Sequence, residues 1–240
     1  MTLTAVTKVT ALLGFSAALA LPALAGDRAE FQAIGYSEDG RYFAFEEFGI
    51  QDGPGFPYSN IFILDLPADK WVNGTPLRMT HHDETVSLGA LRRLAAADVA
   101  GRLDRLGIEV PAAIIAMNGD GEPDAAAYSL RFGPPGYGLA PVQSEHLLEI
   151  EVFDLPAGPD CAIVDGSTKG FALKLDGVER ARDQGALPKS RGCAMDYRVY
   201  AVVSPGAFGS GEGADVAIIS SYPFGFEGPD RRFLAVPMGR

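Results

Sequence analysis

The chain has 240 residues and a formal net charge of −11, with 31 acidic side chains against 20 lysines and arginines. That balance excludes a basic nucleic-acid reader and a polybasic anchor for anionic lipid. At 47% apolar residues there is enough material for a core that folds without a cofactor, in one larger domain or two small ones.

Residues 1–25 open with Lys8 and an apolar run from Val9 to Leu24 that contains no acid. The run ends in Ala23-Leu24-Ala25, small residues at the two positions a signal peptidase reads, and polar sequence begins at Gly26-Asp27. This segment reads as a signal peptide cleaved after Ala25. Gly14, Pro22 and a length short of the ~20 strongly apolar residues of a spanning helix argue against a retained anchor. The expectation is an exported protein, periplasmic or secreted, without stable membrane insertion and more acidic still once Lys8 is removed.

A blade-like β segment is expected over residues 26–80. Residues 41–48 are rich in aromatic strand formers and follow the turn Ser37-Glu38-Asp39-Gly40. A Gly/Pro loop over 49–59 leads to a second apolar strand at 61–66, closed by Pro67, so the two strands form an antiparallel hairpin. Trp71 and Val72 extend the sheet.

Residues 81–110 are read as a helical insert. Leu88, Leu91, Ala95, Val99, Leu103 and Leu106 recur at spacings of three or four and predict one helix over about 87–106. Asp83 or Ser87 caps its start, Gly107 ends it and Pro111 stops continuation. Arg92, Arg93, Arg102 and Arg105 fall largely off the stripe and read as a solvated face.

Beyond the helix, residues 111–240 return to β, with strands expected at 112–117, 125–132, 146–154, 170–175, 197–204, 215–222 and 232–236. Short strands without alternating helices predict a mainly β fold of antiparallel sheets, a sandwich or an open barrel, joined with 26–80 in one compact domain. Gly/Pro-rich loops are expected at 133–141 and 205–213.

The only two cysteines, Cys161 and Cys193, lie in the exported part. Outside the cytoplasm an even pair points to a disulfide, worth roughly 3.5 to 4 kcal/mol in the chain-entropy model. The competing reading, a reactive or metal-binding thiol, lacks a C-x-x-C spacing or an adjacent His.

Three clusters carry candidate chemistry. Asn118, Asp120, Glu122 and Asp124 alternate around glycines as in a calcium loop, although Ala116 occupies the first ligand position and Ala127 the twelfth. An ordinary Asn-Gly-Asp-Gly turn has the same composition. Glu227, Asp230, Arg231 and Arg232 crowd one turn, as a site or as a charge-assisted staple. His81-His82-Asp83-Glu84 and the distant His146 lack the spacing of a zinc site. Gly206-Ala207-Phe208-Gly209-Ser210-Gly211 reads as a loop rather than a nucleophile elbow.

Residues 34–66, with Ser-Glu-Asp-Gly-Arg-Tyr-Phe-Ala-Phe and then Asn60-Ile61-Phe62-Ile63-Leu64-Asp65-Leu66, resemble one blade repeat of TolB-type β-propellers, with Glu38 in place of the usual Pro. The whole exported chain, through "GYSEDGRYFAFEEFGIQDG" and "GFEGPDRRFLAV", resembles a family of predicted secreted bacterial proteins of unknown function. That resemblance implies export and no activity.

The reading that follows is a non-enzymatic exported binding or interaction module for an unknown protein or small ligand. It uses aromatics in or beside loops, among them Phe48, Phe56, Tyr58, Tyr137, Tyr222, Phe224 and Phe226. The alternatives are a periplasmic hydrolase built on carboxylates such as Glu46, Glu47, Glu227 or Asp230, and a weak calcium-binding structural protein.

Overall fold

The structure is a computed structural model describing residues 26–82, 85–119, 121–134, 136, 138–164, 167–206 and 213–239. The expected signal peptide, Asp83, Glu84, Asp120, Tyr137 and most of the 206–211 loop lie outside the described residues. The fold is mainly β, with antiparallel sheets and one long helix.

The first sheet collects β1 (Glu30–Ser37), β2 (Tyr42–Ile50), β3 (Pro57–Asp65), β4 (Lys70–Trp71), β5 (Leu77–Thr80) and β6 (Ile108–Val110). Its order is β4-β3-β2-β1-β6, with β5 also paired to β3. The blade-like hairpin is thus part of a six-stranded sheet. Its turn forms as expected: Asp39 accepts from the Ser37 hydroxyl at 2.6 Å and from the Arg41 N–H at 3.0 Å, and Gly40 takes φ 66°.

Helix α1 (Leu88–Arg105) covers one face of this sheet. Ser87 caps it, accepting from the Ala90 N–H at 3.2 Å, and Gly107 at φ 61° follows its end. Leu91, Ala95 and Val99 are buried, and Ala95 and Val99 pack on Ala44, Ile61 and Ile63. Arg92 departs from the solvated face. Its guanidinium pairs with buried Glu46 at 2.7 Å, contacts Gln32 and lies 3.5 Å over the Phe48 ring.

The middle sheet runs β14 (Arg232–Pro237), β13 (Val216–Pro223), β12 (Ala194–Pro205), β7 (Ala112–Met117), and the outer sheet β11 (Val178–Arg182), β10 (Ser167–Leu175), β9 (His146–Pro156), β8 (Ser129–Phe132). Pro111 marks the crossing from the first sheet to the middle one. Val216 and Ile218 of β13 pack with Phe43, Phe45 and Phe62 of the first sheet, whereas Ala217 and Ile219 pack with Leu148, Ile150 and Leu173 of the outer sheet. The middle sheet is therefore buried on both faces, which is why β13 is apolar at four consecutive positions, Val216 to Ile219. The layers stack as helix, first sheet, middle sheet, outer sheet, and none of the three sheets closes into a barrel among the described residues.

Cys161 and Cys193 form a disulfide with Cα atoms 5.4 Å apart. It ties a 3-10 turn after β9 to the residue preceding β12, fastening the outer sheet to the middle one.

Candidate functional site

The charged turn closes one end of the stack. Residues 27–29 run beside Arg231 as a short parallel bridge, with Arg231 N–H donating to Asp27 O at 2.8 Å and Ala29 N–H to Arg231 O at 3.2 Å. Glycine is required on both sides of this contact. A Cβ on Gly26 would meet Pro229 O at 2.2 Å, and one on Gly225 would meet Gly228 O at 2.3 Å.

Arg232 sits at the centre. Its guanidinium reaches Asp27 Oδ2 at 2.8 Å and Asp230 Oδ2 at 3.4 Å, and donates to the backbone oxygens of Asp27 and Arg231. Tyr58 donates to Asp27 Oδ1 at 2.9 Å, and Asp230 Oδ1 accepts from the Asp27 N–H at 2.9 Å. Glu47, 3% exposed, accepts from the Phe233 N–H and from the Asn60 amide, both at 3.0 Å. Arg231 is almost fully buried, donating to Ala29 O and pairing with Glu30 at 3.3 Å.

Burial sets the electrostatics. It pushes the Glu47 carboxyl up, against the opposing pull of the Phe233 N–H, Asn60, Arg232 and Arg78. It also raises Asp230, against the opposing pull of the Asp27 N–H and Arg232, and it raises the Tyr58 hydroxyl. Burial alone would depress Arg232, but Tyr58, Asp27 and Glu47 hold it above its ordinary value. Such a cluster stabilises a cation and fixes the start of β14.

The structure brings Glu47 and Asp230 of the carboxylate set to Arg232. Glu46, on the opposite face of β2, is held by Ser59 at 2.8 Å and by Arg92, while Glu227 is exposed on the turn. Asp27, the closest partner of Arg232, escaped the sequence reading because it lies 205 residues away in the chain.

Of the calcium-loop residues, Glu122 and Asp124 are exposed. The Asn118 amide donates to the carbonyls of Ala126 at 2.8 Å, Ser129 at 2.9 Å and Val199 at 3.2 Å. Among the described residues no group of three His, Cys, Asp or Glu is placed to hold a metal ion. His146 pairs with Asp176 at 2.8 Å on the outer sheet, while His81 and His82 follow β5 on the first.

Several clefts open around these elements. One of about 340 Å³ borders the charged turn, lined by Asp27, Asp52, Asp230 and Arg232 among others. One of about 580 Å³ lies between the 118–127 segment and the face of Arg198, Tyr200 and Tyr222. A third, of about 350 Å³, runs along β14 at residues 233–236, between β4 and β11.

A family model described as "Predicted secreted protein (DUF2259)" matches residues 44–239. The chain belongs to this family. No curated protein and no solved structure matches it. The DUF2259 match takes in Glu47, Tyr58, Arg231, Arg232 and both cysteines, and Asp27 precedes it. The family's description agrees with an exported protein. No helix among the described residues is long and apolar enough to cross a membrane.

Proposed function

We propose that this exported protein is a non-enzymatic binding or interaction module of the periplasm. The observation that carries the reading is the engagement of its best-placed acids. Asp27, Glu47 and Asp230 each accept hydrogen bonds from the scaffold, and Arg232 ties two of them together. Groups held in this way build a rigid end to the stack and leave the open clefts as the surfaces on which a partner acts.

In-cell cross-linking of the tagged exported protein, read by mass spectrometry against a tagged exported control, tests this. A reproducible partner supports the module. A clean result from abundant, folded protein, together with no small-ligand binding in calorimetry, contradicts it.

A hydrolase reading has one observation in its favour: Asp230, raised by burial, lines the cleft of about 340 Å³ beside Arg232. Ester or glycoside hydrolysis that disappears in Asp230→Asn while the fold is retained would favour it over the module.

A further inference from the structure

We propose that the groove along β14 receives an extended, acidic segment of a partner protein, which adds to the middle sheet as a strand. This deepens the binding-module reading and rests on it. Three sheet edges lie together here. β4 ends the first sheet, β14 the middle sheet and β11 the outer sheet, and the groove is lined by all three. The edge of the middle sheet therefore forms the floor between two walls.

The hydrogen-bonding direction of β14 follows from its two ends. Met238 N–H donates to Asp215 O beside β13, whereas Phe233 N–H donates to Glu47. With the β13–β14 register unbroken, even-numbered residues direct their backbone groups to β13 and odd-numbered ones to the open side. Ala235 thus presents both N–H and C=O to the groove, Phe233 its C=O, and Pro237 has no donor with which to prolong the ladder. That is a short template for strand addition.

The walls set the chemistry of the occupant. Half-buried Trp71 of the first sheet and Ala181 of the outer sheet border the groove, with the buried Phe45, Leu64 and Phe171 behind them. Apolar side chains of an extended segment fit there. The charged lining consists of Lys70, Arg180, Arg182 and Arg191 against Asp69 and Asp183. Arg191 is paired with Asp183 at 3.1 Å and Arg182 with Glu179 at 2.9 Å. Lys70 and Arg180 are exposed, and their side chains make no hydrogen bond or salt bridge among the described residues. In a chain of net charge −11, a groove rimmed by cations selects an acidic partner.

The test uses the isotopically labelled exported protein and two synthetic peptides, one of alternating valine and glutamate and one of alternating valine and lysine. The glutamate peptide is expected to shift the Ala235 amide resonance and slow its exchange, and to bind at least about tenfold more tightly than the lysine peptide. Ala235→Pro removes the open-side donor without breaking a bond to β13, and weakens binding about tenfold. Lys70→Glu combined with Arg180→Glu, both exposed, reverses the preference for the two peptides.

Unchanged Ala235 signals with both peptides, equal binding of the two, or undiminished binding by Ala235→Pro overturns the proposal. Peptide shifts confined to the Arg198–Tyr222 cleft overturn strand addition and leave the module reading standing. Ala235 protected without peptide in a protein that sediments as a dimer assigns the edge to a second copy and also overturns it. Failure of the module reading itself registers in the cross-linking experiment.

Discussion

Glu47 Oε2 accepts a hydrogen bond from the Phe233 N–H at 3.0 Å, so an acid on β2 of the first sheet holds the edge strand β14 of the middle sheet. Removing the carboxylate leaves that N–H and the Asn60 amide without an acceptor, and Glu47→Ala should cost about 2 to 4 kcal/mol in chemical denaturation. Glu47→Gln keeps an acceptor oxygen and should cost less.

The same residue fixes a pH dependence. Burial raises Glu47 above the ordinary glutamate range, so the folded protein holds its proton to higher pH than the unfolded chain does. Its contribution to stability therefore falls as pH rises from the ordinary range through the raised value. Gln does not titrate. The Tm of the wild type minus that of Glu47→Gln should decline across this window and be flat below it, and a difference that climbs with pH would contradict the assignment.

Arg92 fastens the helix to the first sheet through Glu46 and the Phe48 ring. Arg92→Ala leaves a 7% exposed carboxylate without its cation and should cost about 2 to 4 kcal/mol. Arg92→Lys keeps the charge but loses the planar fork, and should recover only part of the loss. Denaturant midpoints of the two variants check the order.

The disulfide joins the outer sheet to the middle one. Replacing Cys161 and Cys193 with serine should lower stability by roughly 3 to 4 kcal/mol, and adding reductant to the wild type should reproduce the change. Equal midpoints for oxidised and reduced protein would argue against a stabilising cross-link.

Asn118 separates the turn from the calcium loop. Asn118→Asp places an oxygen where an N–H₂ group now donates to three carbonyls, and should destabilise by about 2 to 4 kcal/mol with or without calcium. A variant that gains stability on adding calcium would instead support the metal-loop reading.

The helix and the 112–117 strand were legible because each carries its own local signal: a stripe of period 3.6 in one, an apolar run bounded by Pro111 and Asn118 in the other. β11 was not legible. Its sequence, VERAR, is exposed at four of its five positions and charged at three, as suits a sheet edge. β1 was missed because the register shift between Ala33 and Gly35 interrupts its alternation. The apolar residues Val216 to Ile219 marked β13 as a strand but not what covers each of its faces. The charged site was half visible: Asp230, Arg231 and Arg232 are neighbours in sequence, whereas Asp27, Glu47 and Tyr58 join them only through the fold. The groove depends on three sheet edges falling on one side, a relationship no local pattern contains.

The most direct test of the account is amide hydrogen exchange along β14 in the free protein. Leu234 and Val236, bonded to β13, and Phe233, bonded to Glu47, should be protected, while Ala235 between them exchanges fast. Protection of Ala235 equal to that of its neighbours in a monomer would contradict an open edge at the centre of the stack.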